Sequence, residues 1–448
     1  MILTITEFNQ DYMVKFINMY KVRNIRYSDN FCQQIMPLPN FIKKIRFGYD
    51  FDCNIVNYPV ELRELVFGNN FNKLVDNLPE KLIYLSLGSN FSQSLDNLPK
   101  NLKILKMEKE CLFNKSVENL PNLKKIFFGS NFNQPVDNLP MSLTKIVFGY
   151  YFNQSVDNLP SSLMYLDLGV EFNKSVDNLP MGLVFLRLGF YFNRNINNLP
   201  KTLKYLEFSR DFNKSVNLSY LENLESLKFG DEFNQPVNEL PTNLKQIKFG
   251  INFDQLVDNL PKNVKKIYFN IFFNQLVDNL PEGVEEITFG KKFNRSVDKL
   301  PRSIKRIKFG RDFNQSIEKL GDNVEYLWLG GSYEICNDRW EIYGIDNLVY
   351  PDYSNCENFS KFNQKLCLPK NVKYCLLSID YLFLLDEKIK VEYFSGKKKS
   401  RKFFEDSLKE LLKKQDFPLE KFTIKYCKRL EYKSYCNLNL EFFVIKRI

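Results

Sequence analysis

Apolar and polar positions recur along this chain in a pattern about 20 residues long. Phenylalanine marks the register, from Phe31, Phe51, Phe71 and Phe91 through Phe113 and Phe132 to Phe293 and Phe313. Asn follows most of these residues, with Cys32, Asp52, Ser92 and Asp254 as exceptions, and Tyr333 stands where the next Phe would fall. In the period Phe71 to Gly88 the apolar positions include Phe71, Val75, Leu78, Leu82, Leu85 and Leu87. Leu85 and Leu87 are two apart, so a strand would turn both to one face and Tyr84 and Ser86 to the other. Gly88 suits a tight turn out of the strand. Pro79 fixes its own φ and donates no N–H, which suits an extended return arm. So short a coil has little room for a helix. A period held over some 300 residues predicts a solenoid, in which stacked coils share one elongated core.

The spacing Leu82-x-x-Leu85-x-Leu87 is that of a leucine-rich-repeat strand. The expected fold is a β-rich solenoid: a leucine-rich-repeat-like right-handed superhelix of about 16 coils of about 20 residues. One parallel sheet would form its concave face, extended or turn-like backbone its convex face, and a small α/β cap its C-terminal end. The segments FNQPVDNLP (132–140), FNQSVDNLP (152–160) and FNQPVNELP (233–241) resemble the FNIP repeat over roughly residues 22–330. That family occurs in amoebal proteins and in large DNA viruses of amoebae, and it is grouped with leucine-rich repeats. Its viral members often carry an F-box before the array. The resemblance therefore implies a protein-binding scaffold, related in its fuller forms to ubiquitin-ligase substrate adaptors.

Five segments are expected: an N-terminal, largely helical cap (1–21), the array (22–333), an irregular excursion (334–361), a degenerate repeat (362–387) and a basic α/β section (388–448). Val22-x-x-Ile25-x-Tyr27 already fits the strand template, and the 21 residues before it are too few for a complete F-box. Within them Phe8, Tyr12, Phe16 and Tyr20 recur every four residues with Met13 and Ile17 alongside, an amphipathic helix pattern with Thr6 as N-cap. It reads as a lid on the first coil or as a shortened F-box remnant. Two slips interrupt the array, one between Phe91 and Phe113 and one after Phe212, where Leu218-Ser219-Tyr220-Leu221 replaces Leu-Pro. Both read as bulges absorbed in loops. Near the end, Val372, Cys375 and Leu377 recover strand spacing, Ile389 to Phe394 reads as a strand, and Phe404, Leu408, Leu411 and Leu412 share a helix face.

Chemistry narrows the function further. The chain contains no histidine, which removes His-based nucleophiles and His metal ligands, and it has no phosphate-binding glycine loop. Nine cysteines without a CxxC pair suit reduced thiols, and Cys367/Cys375 and Cys427/Cys436 are too widely spaced for a convincing zinc site. Neither an enzymatic activity nor a cofactor is expected. No run of about 18 apolar residues appears, so no membrane span is expected either. A monomer in the cytoplasm is anticipated, of a host cell if the protein is viral, with the nucleus as a second compartment. The formal charge is +10, of which residues 388–448 supply +9, so electrostatic function is assigned to that section and not to the array. Lys397, Lys398, Lys399, Arg401 and Lys402 could contact nucleic acid there, the alternative to protein capture.

The outward strand positions differ from coil to coil while the framework repeats, and a partner would be read there. The candidates are Tyr84, Phe127, Tyr165, Asp167, Phe185, Arg187, Tyr205, Glu207, Tyr326 and Trp328. Exposed aromatics beside Arg have the character of an interface hot spot. The plainer alternative is cross-strand packing that stabilises the sheet.

Overall fold

The computed structural model describes residues 2–5 and 10–329, and the backbone of four strands at 374–378, 389–394, 422–426 and 442–446. The chain forms two compact units, Met1–Lys214 and Ser215–Ile448. The division falls in the coil after Phe212, at the slip that the sequence presents as a simple bulge.

In the first unit the strands are β1 (Ile2–Ile5), β2 (Asn24–Tyr27), β3 (Lys44–Arg46), β4 (Glu64–Val66), β5 (Tyr84–Leu87) and β6 (Ile104–Met107). They continue as β7 (Lys125–Phe127), β8 (Lys145–Val147), β9 (Tyr165–Asp167), β10 (Phe185–Arg187) and β11 (Tyr205–Glu207). Each pairs in parallel with the next. The second unit repeats this with β12 (Ser226–Lys228), β13 (Gln246–Lys248), β14 (Lys266–Tyr268), β15 (Glu286–Thr288), β16 (Arg306–Phe309) and β17 (Tyr326–Leu329). Both units are thus built as a β-solenoid, one strand per turn about every 20 residues.

Beyond β17, β18 (Tyr374–Ser378) adds in parallel with Leu327 opposite Cys375, which is the strand of the degenerate repeat. The strands β19 (Ile389–Phe394), β20 (Phe422–Tyr426) and β21 (Phe442–Lys446) follow, β21 running antiparallel to both β18 and β19. The expected helix around Phe404–Leu412, the excursion 334–361, the basic run 397–402 and, apart from Cys375 in β18, the cysteines beyond residue 329 lie outside the described residues.

The N-terminus departs from expectation. The stack starts at Ile2, not Val22, because Ile2–Ile5 pairs in parallel with Asn24–Tyr27. The segment Ile-Leu-Thr-Ile is followed by Phe8-Asn9, but that pair stands 23 residues before Phe31 and no glycine or Leu-Pro accompanies it, so the 20-residue pattern passes over it. Helix α1 (Gln10–Tyr20) returns the chain to β2 and ends at Lys21, whose φ of 50° is the left-handed turn that closes many helices. Its buried face is not the aromatic stripe. Tyr12, Phe16 and Tyr20 are 73%, 40% and 55% exposed, whereas Ile17 is fully buried. The Ile17 carbonyl accepts the Val22 N–H at 3.2 Å, which fixes the face turned to the coil.

Two ladders of side chains hold the coils. The Phe-Asn phenylalanines are buried and their rings stack from coil to coil at 6.0–6.4 Å. A second set one residue beyond the strand, such as Phe47 with Phe67 and Phe269 with Phe289, stacks at 5.3–5.9 Å. Strands themselves are set about 4.8 Å apart by their hydrogen bonds. Within each unit, neighbouring coils therefore diverge away from the sheet. The spacing of about 4.8 Å set at the strand widens to 6.0–6.4 Å at the depth of the Phe-Asn rings. The strand side is accordingly the inside of the local curve.

The Asn of each pair accepts the backbone N–H of the equivalent residue one coil on. Asn133 Oδ1 takes Asn153 N at 2.9 Å, and Asn153 Oδ1 takes Asn173 N at 3.0 Å. Only the acceptor is needed, which is why Asp52 and Asp254 can stand in, each taking the next N–H at 2.8 Å. The glycine after each strand has a different role from the one its position suggests. Among the described glycines only Gly169 has positive φ. A Cβ on Gly88 would sit 1.9 Å from the Gly68 carbonyl oxygen, and on Gly149 2.0 Å from that of Gly129. Glycine is there for the closeness of the neighbouring coil, not for its freedom to turn.

Candidate functional site

The framework fixes which side chains can meet a partner. From β2 to β17 each strand buries its second residue and, with one exception, leaves the residues on either side of it at least partly open, as in the intermediate–buried–intermediate pattern of β9 and β10. Parallel in-register pairing lines these flanking residues up in columns. Lys145, Tyr165, Phe185 and Tyr205 stand in one, and Asp167, Arg187 and Glu207 in the next. Ser86 is an exception to the outward reading: it is 1% exposed, between Val66 and Lys106 on the neighbouring strands.

On β8–β11 these side chains form one connected cluster. The Tyr165 and Phe185 rings are parallel within 1° with centroids 4.2 Å apart, and Tyr205 follows at 6.4 Å, tilted. The Lys145 ammonium lies 3.5 Å from the Tyr165 ring centre and 5.5 Å from that of Phe127, a cation–π placement. Beside the rings, Arg187 bridges two carboxylates, with its NH1 group 2.9 Å from Asp167 and its Nε 2.9 Å from Glu207. Burial pulls the guanidinium down, yet the Glu207 hydrogen bond and the Asp167 charge hold it above its ordinary range. Burial raises the Asp167 carboxyl against the pull of Arg187 and of the Gly169 N–H. Burial, and then the charge of Lys125, lower the Lys145 ammonium.

The remaining candidates do not join this cluster. Tyr84 is four strands from Tyr165, about 19 Å at the usual strand spacing. Phe127 touches it only through Lys145. Tyr326 and Trp328 belong to the second unit, under Arg306 at 5.1 Å and Lys308 at 4.6 Å respectively. Burial pushes the Lys308 ammonium down to about 7. In that unit a shallow cavity of about 260 Å³ is lined by Lys265, Lys266, Glu285, Glu286, Lys305 and Arg306 among others. Its charges are mutually paired, with Glu285 3.0 Å from Lys305 and 3.6 Å from Lys265. Lys145 was not among the sequence candidates. It stands in the same outward column as Tyr165, but the candidates are the aromatics and the charges around Arg187, a choice that passes over a lysine next to the stack.

No group of three or more His, Cys, Asp or Glu side chains among the described residues is placed to hold a metal. No described helix is long and apolar enough to cross a membrane. Cys111 is buried, its thiol 3.4 Å from the Phe91 carbonyl and raised by burial to about 11, so it fills the two-residue insertion of its coil as an inert core residue.

These features define a leucine-rich-repeat-like β-solenoid with a variable strand face. More particularly, the chain carries FNIP repeats: the FNIP Repeat model matches residues 132–171, 172–211, 236–272, 256–292 and 293–332. Among solved structures the chain is similar to CroV588, a giant-virus protein described as a novel circular LRR protein, with 28% identity and a TM-score of 0.57. That match covers 78% of this chain and 62% of CroV588, so the chain spans less than two thirds of its length. YopM from Yersinia enterocolitica WA-314 matches at 18% identity and a TM-score of 0.40, over 72% of this chain and 77% of YopM. No curated protein matches in sequence.

Proposed function

We propose that this protein is a non-enzymatic scaffold that captures a protein partner on its strand face, with Tyr165, Phe185 and Tyr205 as the anchor. The observation that carries the reading is the ring stack at 4.2 Å on a face that is not part of the core. Lys145 above it and Arg187 beside it hold the rings in place before any partner arrives, so little rotamer entropy remains to be lost on binding. Tyr205, 45% exposed, leaves a ring edge and a hydroxyl free to be covered. Tyr84 and Phe127, on the same unit, would be accessory contacts. Repeat solenoids of this kind typically serve protein interaction, which agrees with the reading.

Replacing Tyr165, Phe185 and Tyr205 by Ser is expected to leave the fold intact and to abolish recovery of partners in an affinity pull-down with the full chain. Capture that survives the triple substitution would show that the anchor lies elsewhere. The alternative of nucleic-acid contact through Lys397–Lys402 falls outside the described residues, and no structural observation favours it.

A further inference from the structure

The near-neutral total of the array conceals a separation of charge. Three columns of side chains border the strand face along β2–β8. Arg26, Arg46 and Lys106 stand in the second outward column. Lys44, Lys125 and Lys145 stand in the first, with Glu64 the one acid. Arg23, Lys43, Arg63, Lys103 and Lys124 occupy the residue leading into each strand, and a backbone ladder stacks them: Lys43 N donates to Arg23 O at 2.8 Å and Lys124 N to Lys103 O at 2.8 Å. Of these 21 positions eleven are basic and one is acidic. The carboxylates that neutralise the total lie at the turns, for example Asp76 and Asp137, which accept from Asn97 and Asn158 of the next coil.

Few of these bases are answered. Lys44 pairs with Glu64 at 2.7 Å and Lys106 with Glu108 at 2.9 Å, while Glu61, at the rim, is engaged by Lys81. Among the described residues no carboxylate lies within 4.0 Å of Arg26, Arg46, Lys103, Lys124 or Lys125. In the second unit several strand-face bases are paired, Lys245 with Glu225, Lys305 with Glu285 and Arg306 with Glu286. Like charges about 4.8 Å apart on adjacent strands repel, so folding alone does not favour such columns.

We propose that the strand face of β2–β8 docks an acidic protein segment in which carboxylates alternate with apolar side chains. Charge complementarity demands a polyanion. The apolar residues interleaved with the bases select the kind: Val66, Ile104 and Val147 are partly exposed and Ile83 is 39% exposed. They would pack against aliphatic side chains, whereas a single-stranded nucleic acid would want a run of aromatic platforms. Here Tyr84 and Phe127 are the only aromatics among the 21 positions. The inference rests on the strand face being the recognition surface, and it extends that surface from the aromatic anchor on β9–β11 toward the N-terminus. Rings would supply the anchor, and the basic columns would supply steering and orientation.

The test uses the full chain and fluorescence anisotropy with a soluble peptide of Glu-Glu-Leu repeats, beside oligothymidylate. The peptide is expected to bind in low salt and to weaken by about tenfold or more at physiological salt. Arg46→Glu, Lys103→Glu and Lys125→Glu together should weaken it by at least about tenfold with unchanged melting temperature. Lys174→Glu, Lys214→Glu and Lys262→Glu, an equal charge change at exposed turn positions, should alter it less than about twofold. Peptide binding that responds equally to both triples, or that is absent, overturns the proposal, and so does tighter binding of oligothymidylate. The Tyr165, Phe185 and Tyr205 triple should still bind the peptide. Failure of the anchor reading alone would therefore appear as retained partner capture with the peptide results intact.

Discussion

At the scale of single residues, the structure separates what looks alike in the repeat. Phe and Asn recur together, but Phe contributes burial and Asn contributes one acceptor to the next coil. Phe132, Phe152 and Phe172 are fully buried in the ring ladder. Asn153 stands between Asn133 and Asn173, donating its N–H to one and accepting from the other. Asn153→Ala leaves the Asn173 N–H without its acceptor and is expected to cost about 2 kcal/mol. Asn153→Asp should cost less than about half of that, as Asp52 and Asp254 already do the same work at their own positions. Urea denaturation of the two variants checks the order. If both lose equally, the amide nitrogen matters and the acceptor argument fails.

At the scale of the element, three-residue strands gain meaning only as neighbours. Tyr165, Phe185 and Tyr205 are twenty residues apart in sequence and adjacent in the sheet. The same pairing sets Arg187 between two carboxylates. Asp167 has an acid dependence that can be worked out. Burial holds its carboxyl above the ordinary range, against Arg187, so its folded pKa exceeds the unfolded value of about 3.9. Between the two values the folded state holds more protons. The stability this group contributes is complete below the unfolded pKa and is lost as pH rises through the folded one. Asp167→Asn removes that dependence. The melting temperature of the wild type relative to Asp167→Asn should therefore climb as pH is lowered from neutral to about 4. A relative stability that declines on acidification would mean that Arg187 outweighs burial and that the carboxyl sits low.

At the scale of the whole molecule, a coil contacts only its two neighbours, so the array should tolerate loss of a complete period and not of a fraction. Deleting residues 253–272 joins Asn252 to Phe273 and restores the Phe spacing. The shortened chain is expected to keep its β circular-dichroism signal and a cooperative, somewhat lower melt. Removing ten residues instead would put strand opposite turn and should abolish the transition. Equal tolerance of both deletions would contradict a register held by stacked ladders.

The sequence by itself determined the solenoid, its period, the strand positions and the membership of each outward column, because all of these follow from spacing that recurs locally. Residues one period apart, such as Lys44 and Glu64 or Phe185 and Tyr205, are paired side by side in the sheet. Strand β1 and the inward face of α1 escaped it, since Phe8-Asn9 falls off the 20-residue spacing and the aromatic residues of the helix outnumber the Ile17 that is buried. The glycine role escaped it as well, because the crowding oxygen belongs to another coil. Only the tertiary structure decided that the bases leading into each strand stack beside the outward columns and that few of them meet a carboxylate. The net charge of the array is a sum over sequence, and it is near zero. The field a partner meets depends on which side chains share a face, and folding gathers the bases of β2–β8 on one side while leaving many carboxylates at the turns.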